Sequence, residues 1–185
     1  MSKSQPSGRK VAAKVATAED SAGVAASHGV TLFAVVDDGA WGEEAALVPH
    51  LDAIGRVLSD VPEAGLRAGS SATIVFAGDL QVKALNAQFR NIDKPTNVLS
   101  FPAGGEATDE DGQPYLGDVI LAYETVAREA AEQGLAFDHH LVHLVVHGVL
   151  HLAGFDHMTE SEAGVMEALE IRILARLGIA DPYAD

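Results

Sequence analysis

The residues best suited to chemistry are three histidines near the C-terminal end, in the string His147-x3-His151-x2-Gly154-x2-His157. Residues four apart lie on one face of a helix, so His147 and His151 can direct two imidazoles towards one ion. Gly154 allows the chain to leave that helix with a positive φ and to bring His157 back to the same ion. Three neutral imidazoles leave a fourth tetrahedral position for water, which is typical of a catalytic zinc. The spacing therefore predicts one zinc ion per chain, held by these three histidines.

The same histidines could instead line the core or lie on the surface. Six of the eight histidines fall between residues 139 and 157, and three of those match a known ligand spacing. A chance match is therefore a weaker explanation than a metal site. His143 could share the face of His147, but a triad of His143, His147 and His151 would spread over about 12 Å of a straight helix. We therefore expect His143 to support the site or the core and not to bind the metal.

The residue after the first histidine indicates which hydrolytic chemistry is available. The spacing is that of the metzincin metalloproteases, which carry Glu at that position as the general base. Here the position is Gly148. A peptidase without that carboxylate lacks the group that activates water. The spacing thus favours the metal geometry, whereas Gly148 disfavours peptide hydrolysis.

The elements that must position these residues alternate between strand and helix patterns. Short β-prone segments occupy residues 31–36, 70–77, 97–101 and 117–123. Apolar residues at helical spacing predict helices over residues 43–58, 80–89, 124–133, 139–152 and 160–177. Asp79 and Asp138 are predicted N-caps of the second and fourth of these helices. The order predicts an α+β (α/β) fold, in which a small mixed four-stranded sheet packs with about five helices.

Composition indicates a single globular domain. The chain has 185 residues, of which 48% are hydrophobic, and it has no cysteine. A metal site must therefore use His, Asp or Glu. Residues 1–29 predict a flexible tail, and residues 30–180 predict one domain. No apolar core follows the basic residues near the N-terminus, so we expect no secretory signal and a cytoplasmic location.

The net charge of −15 argues against broad, non-specific binding to nucleic acid, which needs a positive surface. A local basic patch at Lys83, Arg90 and Lys94 is compatible with that charge. The same three residues could instead form a solvated helix end, and charge alone favours this interpretation. Residues 103–115 combine acidic residues with Gly and Pro, and they predict an exposed acidic loop.

Three blocks of sequence carry a resemblance to a known family. They are L-N-x2-F-R followed by P-T-N-V-L-S-F-P within residues 85–102, L-G-D-V-I at residues 116–120, and H-G-V-L-H-L-x-G-x-D-H at residues 147–157. On these blocks the chain closely resembles the YbeY family of bacterial rRNA maturation factors, described as metal-dependent endoribonucleases. The resemblance covers roughly residues 31–177. One departure is Asn97, where the family usually has Asp; it removes a carboxylate near the expected cleft and could weaken a turn or a contact.

The resemblance implies a zincin-like scaffold and a zinc ion on His147, His151 and His157. It also implies that Arg90 matches the functional arginine of the family, where it would grip a phosphate, with a structural ion pair as the other possibility. The implied activity is that of a zinc-dependent, single-strand-specific endoribonuclease, which processes the 3′ end of 16S rRNA and supports ribosome quality control. The implied partners are ribosomal RNA and small-subunit ribosomal proteins, with no membrane and no DNA.

Three further residues in the matched blocks have more than one expected role. Asp118 could orient a ligand or hold the edge of the sheet. Asp156 could accept a hydrogen bond from a ligand imidazole or cap a turn. Ser100 could touch RNA, although a structural role is the simpler expectation. No residue is a secure general base, so either a zinc-bound hydroxide or the RNA 2′-hydroxyl could attack.

Two other functions remain open at this point. The first is a zinc metallopeptidase, which Gly148 disfavours. The second is a non-enzymatic ribosome assembly factor in which zinc mainly stabilises the fold. The acidic surface suits docking to basic ribosomal proteins, with RNA contacted only near Lys83, Arg90 and Lys94.

Overall fold

The computed structural model describes residues 29–184, so the tail predicted at residues 1–29 lies outside the described residues except for its last position. Over these residues the chain forms four strands and five helices, in the order β1 (Thr31–Val36), α1 (Glu44–Ser59), β2 (Ser71–Ala77), α2 (Asp79–Arg90), β3 (Val98–Pro102), β4 (Tyr115–Ala122), α3 (Tyr123–Gln133), α4 (Phe137–Leu152) and α5 (Glu160–Arg176). The α+β class and the order of the elements are confirmed. None of these helices is both long enough and apolar enough to cross a bilayer.

The four strands form one mixed sheet in the order β1-β2-β4-β3. Strands β1, β2 and β4 run parallel, whereas β3 pairs antiparallel with β4 at the edge. Side chains alternate between the two faces along a strand, and residues directly opposite each other share a face. Ser100 pairs with Val119, while Phe101 and Thr73 both pair with Asp118. Ser100 and Asp118 therefore lie on opposite faces of the sheet.

The larger core lies on the face of Val119, where helices α1, α4 and α5 pack. Helix α4 lies between the sheet and helices α3 and α5, so it is apolar on most sides and largely buried. A smaller core on the other face joins strand residues such as Ile120 to Val82 of α2. The site must therefore be built around α4, which is the most enclosed helix among the described residues.

Both predicted N-caps are wrong, because each helix begins one or two residues earlier than expected. Helix α2 begins at Asp79 itself, and its carboxylate accepts instead from the Thr125 backbone N (3.1 Å) and Oγ1 (2.8 Å). Glu124 accepts from the Asp79 backbone N at 2.8 Å, so a residue of α3 caps α2. Helix α4 begins at Phe137, and Asp138 lies in its first turn, where a carboxylate still complements the helix dipole.

The predicted acidic loop is mostly exposed, but it is shorter and more ordered than expected. Strand β4 begins at Tyr115, two residues before the predicted start. Thr108 and Pro114 form an antiparallel bridge within the loop. Asp109 accepts a hydrogen bond from Ser71 Oγ at 2.6 Å, which ties the loop to strand β2.

Candidate metal centre

Helix α4 and the turn that follows it bring the three predicted histidines together. The Nε2 atoms of His147 and His151 lie 3.1 Å apart on one face of α4. The helix ends at Leu152, and Gly154 adopts a φ of 96°, so the predicted left-handed turn is confirmed. The turn places the His157 ring centroid 5.5 Å from that of His147 and 5.0 Å from that of His151. One short segment therefore supplies all three imidazoles.

The separations of the ligand atoms fit a small tetrahedral ion. Each of His147, His151 and His157 offers one nitrogen, and these atoms all lie within 4.8 Å of one another. Zinc–nitrogen bonds of about 2.0–2.1 Å in a tetrahedron separate the ligand nitrogens by about 3.3 Å. The pair on α4 is already close to that value, and the exposed His157 side chain has room to rotate towards it.

The tautomers of the two helical imidazoles also favour a bound cation. His147 Nδ1 donates to Glu170 Oε1 at 2.6 Å, and His151 Nδ1 donates to the Phe155 backbone O at 2.9 Å. A carboxylate and a carbonyl can only accept, so we assign each proton to Nδ1 and each lone pair to Nε2. Burial, and then the neighbouring His147, lowers the pKa of His151 and favours its neutral form. Two lone pairs that face each other need a cation between them, and a metal ion meets that need.

Glu170, which was not predicted, supports this arrangement from helix α5. Its side chain is fully buried, and it accepts from His147 Nδ1 and from the Tyr183 hydroxyl. His143 Nε2 lies 3.4 Å from its second oxygen. Burial alone would raise the pKa of Glu170, but the hydrogen bonds from His143, His147 and Tyr183 outweigh it and lower the pKa to about 2. A signal was present in the sequence, since Glu170 lies between the buried Met166 and Leu174 at helical spacing.

Arg90 and the three histidines line one cavity of about 190 Å³. The last turn of α2 carries Arg90, and Asn91 ends the helix in the left-handed conformation (φ 58°). The chain can therefore turn towards strand β3, whose first residues form another wall of the cavity. Among residues 29–184, no carboxylate pairs with Arg90, so the guanidinium is available to a ligand.

The basic patch that charge alone assigned to a solvated helix end is divided in the structure. Lys83 pairs with Asp93 at 3.4 Å; the Asp93 side chain is largely exposed, whereas that of Lys83 is 42% exposed. Arg90 and Lys94 instead line a second cavity beside the histidines. Arg90 ends α2 and is exposed, as is Lys94, so the solvated helix end is present, and the same two cations also line the second cavity.

Ser100 and Asp156 have structural contacts near the histidines. Ser100 Oγ donates to the Gly148 backbone O at 3.0 Å and joins strand β3 to helix α4, while its side chain also lines the cavity. Asp156 Oδ1 accepts from the His157 backbone N at 2.8 Å. The Nδ1 atoms of His147 and His151 already have other acceptors, so Asp156 caps the turn and does not orient an α4 imidazole.

Asn97, the residue that departs from the family pattern, forms a hydrogen bond at each end of its side-chain amide. Its Oδ1 accepts from the Val98 backbone N at 2.7 Å, and its Nδ2 donates to Glu129 Oε2 at 2.9 Å. His140 Nε2 donates to the same carboxylate oxygen at 3.0 Å. An Asp at this position would place two carboxylates in contact, so the amide suits the Glu129 side chain of this chain.

Asp118 lies away from the metal centre, on the opposite face of the sheet. It accepts a hydrogen bond from the Tyr115 hydroxyl at 2.6 Å, and that hydroxyl also lies 2.8 Å from Thr73 Oγ1. Burial raises the pKa of Asp118, and the hydrogen bond from Tyr115 offsets only part of the increase. These contacts link β4 to β2 in the interior of the sheet, so Asp118 does not hold the edge of the sheet, as one of its two expected roles required.

The raised pKa of Asp118 predicts how the variant Asp118→Asn behaves with pH. Ionising the Asp118 carboxyl group costs more free energy in the folded protein than in the unfolded chain. The protonated carboxyl group therefore stabilises the fold below the unfolded pKa, and this stabilisation is lost as pH rises through the folded pKa. Asparagine cannot ionise, but its Oδ1 can still accept from Tyr115. We therefore expect the free energy of unfolding of Asp118→Asn to rise relative to the wild type between pH 4 and pH 7, measured by urea titration.

The matched control for this measurement is Asp52→Asn, because Asp52 is exposed on helix α1. Its difference from the wild type should change little over the same pH range. A pH-independent difference for Asp118→Asn would contradict the cost assigned to ionising this carboxylate.

Comparison with known proteins agrees with the geometry of the site. The family model described as Endoribonuclease YbeY matches residues 50–178, which include the three histidines and Arg90. An Endoribonuclease YbeY from Chelativorans sp. (strain BNC1) is 47% identical over 88% of this chain and 98% of its own length. Another from Rhodopseudomonas palustris (strain BisA53) is 58% identical over 64% of this chain and 70% of its own length.

A solved structure supports the fold alone. The solution structure of a Thermotoga maritima protein covers 84% of this chain and 99% of its own, with a TM-score of 0.50 and 22% identity. The family match covers more than half of the chain, and the relatives are similar well beyond the histidine segment. The chain belongs to the Endoribonuclease YbeY family.

Proposed function

We propose that this member of the family is a zinc-dependent endoribonuclease that cuts single-stranded RNA in the cytoplasm. Its proposed role is in ribosome biogenesis, where it processes the 3′ end of 16S rRNA and supports ribosome quality control. The observation that carries the proposal is the pair of Nε2 atoms 3.1 Å apart on His147 and His151, in one cavity with Arg90. This arrangement combines a metal site with a phosphate-binding cation.

The roles of the individual residues follow from their contacts. His147, His151 and His157 hold the ion, and Glu170 and the Phe155 carbonyl keep the first two imidazoles in the tautomer that binds it. A bound zinc supplies Lewis acidity, which polarises a phosphoryl oxygen and makes water more acidic. Arg90 grips the phosphate through its planar fork and balances negative charge in the transition state.

The walls of the cavity favour phosphodiester over peptide chemistry. The described residues that line it are Arg90, Thr96, Asn97, Val98, Ser100 and the three histidines, and none is a carboxylic acid. A peptidase of the metzincin type needs a carboxylate general base. Cleavage of RNA has another nucleophile available, because the 2′-hydroxyl of the substrate can attack its own phosphate. The small volume of the cavity supports a single strand as the substrate.

The charge of the chain supports the proposed partners. With a net charge of −15, the protein is suited to dock on basic ribosomal proteins of the small subunit. RNA contact is then confined to the cations around the two cavities. Broad attraction to DNA or to an anionic membrane surface is opposed by the same charge.

Cleavage of a 3′-extended 16S rRNA precursor by the zinc-loaded protein tests the proposal. We expect cleavage to stop with chelator and with His151→Ala, and to fall roughly 100- to 1,000-fold with Arg90→Ala. Restoring zinc after chelation should restore cleavage of the wild type only. Cleavage that persists in all these samples would reveal a contaminating ribonuclease. No cleavage, together with tight binding to small subunits, would favour the assembly factor.

The nucleophile can be identified with the same assay. A substrate with one 2′-deoxynucleotide at the cut site lacks the internal nucleophile but keeps the phosphate. Loss of cutting at that site alone would identify attack by the 2′-hydroxyl, whereas unchanged cutting would identify attack by water.

A further inference from the structure

A second cavity, of about 330 Å³, opens beside the histidine cavity and shares Arg90 and Thr96 with it. We call it the flanking cavity; it lies between the end of α2, the loop at residues 91–96 and helix α3. Its volume is at the lower end of the range for small-ligand sites, about 300–1,000 Å³. Because the two cavities share a wall, one extended ligand can occupy both.

The flanking cavity is positively charged within a strongly acidic protein. Arg90, Lys94 and Arg128 line it, and none of them forms an ion pair with another residue in 29–184. The acid in its wall is Glu129, whose Oε2 already accepts from Asn97 and His140. The local excess of positive charge therefore favours an anionic ligand.

Two lining side chains are positioned by hydrogen bonds to their neighbours. Arg128 Nη2 donates to Thr125 Oγ1 at 3.1 Å, which leaves the other donors of the guanidinium for a ligand. Asn86 is only 3% exposed, and its Nδ2 donates to the Lys94 backbone O at 2.8 Å. No described side chain donates to Asn86 Oδ1, so this cavity residue keeps an acceptor for a ligand hydroxyl or amino group.

We propose that the flanking cavity binds the nucleotide adjacent to the phosphodiester that the histidine cavity cuts. Lys94 and Arg128 contact the phosphate of this nucleotide, and Asn86 accepts from its sugar or base. This inference rests on the proposed function, because it takes single-stranded RNA as the ligand. Successive phosphates of one strand can contact successive cations, and Arg90 lines both cavities, so it can contact the phosphate where they meet.

The test measures binding separately from cleavage. The zinc-loaded full chain is titrated into a fluorescent single-stranded RNA with 2′-O-methyl riboses, at several salt concentrations, and gel electrophoresis checks that the RNA stays intact. We expect Lys94→Gln and Arg128→Gln each to weaken binding roughly tenfold at low salt. Each should also lower the slope of log affinity against log salt by about 0.7, the value for one phosphate contact on a single strand.

Two further variants serve as controls. Arg128→Lys keeps the charge, so the salt slope should return towards the wild-type value even if affinity stays lower. Arg56→Gln removes an exposed arginine from α1, which packs at the β1 edge of the sheet, and it should leave the slope unchanged. Thermal melting of every variant verifies that the fold is retained.

The outcomes separate this proposal from the proposed function. If the wild type cuts RNA but Lys94→Gln and Arg128→Gln bind with unchanged slopes, the flanking cavity is not part of the RNA site. If the wild type does not cut but the two variants lose affinity and slope, the cavity binds RNA and the nuclease proposal fails. Inorganic phosphate is also tested as a competitor, at the same concentration as the phosphates of the RNA. If it displaces the labelled RNA as well as unlabelled RNA does, the flanking cavity is a simple anion site and the nucleotide proposal is wrong.

Discussion

Replacing Glu170 with Gln should lower the affinity of the protein for zinc by roughly 10- to 100-fold. The carboxylate accepts from His147 Nδ1 at 2.6 Å, which holds the imidazole in the tautomer with a free Nε2 and makes that nitrogen a better ligand. A Gln carbonyl can still accept this proton, but it carries no charge, and its amide protons would face the Tyr183 hydroxyl or His143. Competition with a chelating dye at pH 7.5 measures the change.

Two variants distinguish the contact between Glu170 and His147 from general effects of charge and packing. Glu167→Gln removes a carboxylate from the same helix, and no side-chain hydrogen bond to it is present among the described residues, so zinc affinity should stay near that of the wild type. Tyr183→Phe removes one donor to Glu170 but leaves the contact with His147, so its effect should be smaller than that of Glu170→Gln. If the dissociation constant for zinc is unchanged in Glu170→Gln, the buried carboxylate does not affect how strongly His147 binds the ion.

The variant Gly148→Ala should lose about 1 to 3 kcal/mol of unfolding free energy and also bind zinc more weakly. A Cβ at this position would lie 2.5 Å from Val119 Cγ1 and 3.2 Å from Ser100 Oγ. Val119 is fully buried in the central strand β4, so helix α4 must move away from the sheet. That movement displaces His147, which shares the helix. Urea unfolding and zinc titration of the same samples measure both effects.

Gly164→Ala is the matched control for this substitution. Gly164 also lies within a helix, α5, but a Cβ there would meet no atom within 4 Å. The control should gain about 0.5–1 kcal/mol, because alanine loses less backbone entropy than glycine when a helix forms. A loss of stability at Gly164, or none at Gly148, would contradict the close contact between helix and sheet.

The position of Gly148 also explains why the metzincin-like spacing occurs without the metzincin carboxylate. The α-carbon of this residue faces Val119 and not open space, so a Glu side chain has no room beside the sheet. Introducing Glu to restore a general base would disrupt the packing before it supplied any chemistry. The lack of a carboxylate at this position is thus a consequence of how closely α4 packs on the sheet.

Much of the fold and the three-histidine cluster could be predicted, because the signals are local. Short β-prone segments identified the four strands, and apolar residues at helical spacing identified the five helices. The interval from His147 to Gly154 predicted the helix end and the left-handed turn. These features depend on residues within one or two turns of each other.

The supporting residues could not be predicted, because they depend on which faces meet. Glu170 reaches His147 only after α5 packs on α4, and Arg128 joins Arg90 only because α3 lies beside the end of α2. The N-cap assigned to Asp79 failed for the same reason, since Thr125 competes for its carboxylate from another helix. The role of Asp118 depended on the pairing register, which determines the face of the sheet on which it lies.

The three histidines lie within one short segment, residues 147–157, and this locality affects how the protein acquires its ion. Closing so short a loop around a metal costs little chain entropy, so binding contributes little to holding distant parts of the chain together. Helix α4 is anchored instead by apolar residues such as Val146 and Leu150, both fully buried. Small zinc domains that unfold without metal behave differently. We therefore expect this protein to fold first and load its ion afterwards, so that metal supply in the cell regulates its activity and not its abundance.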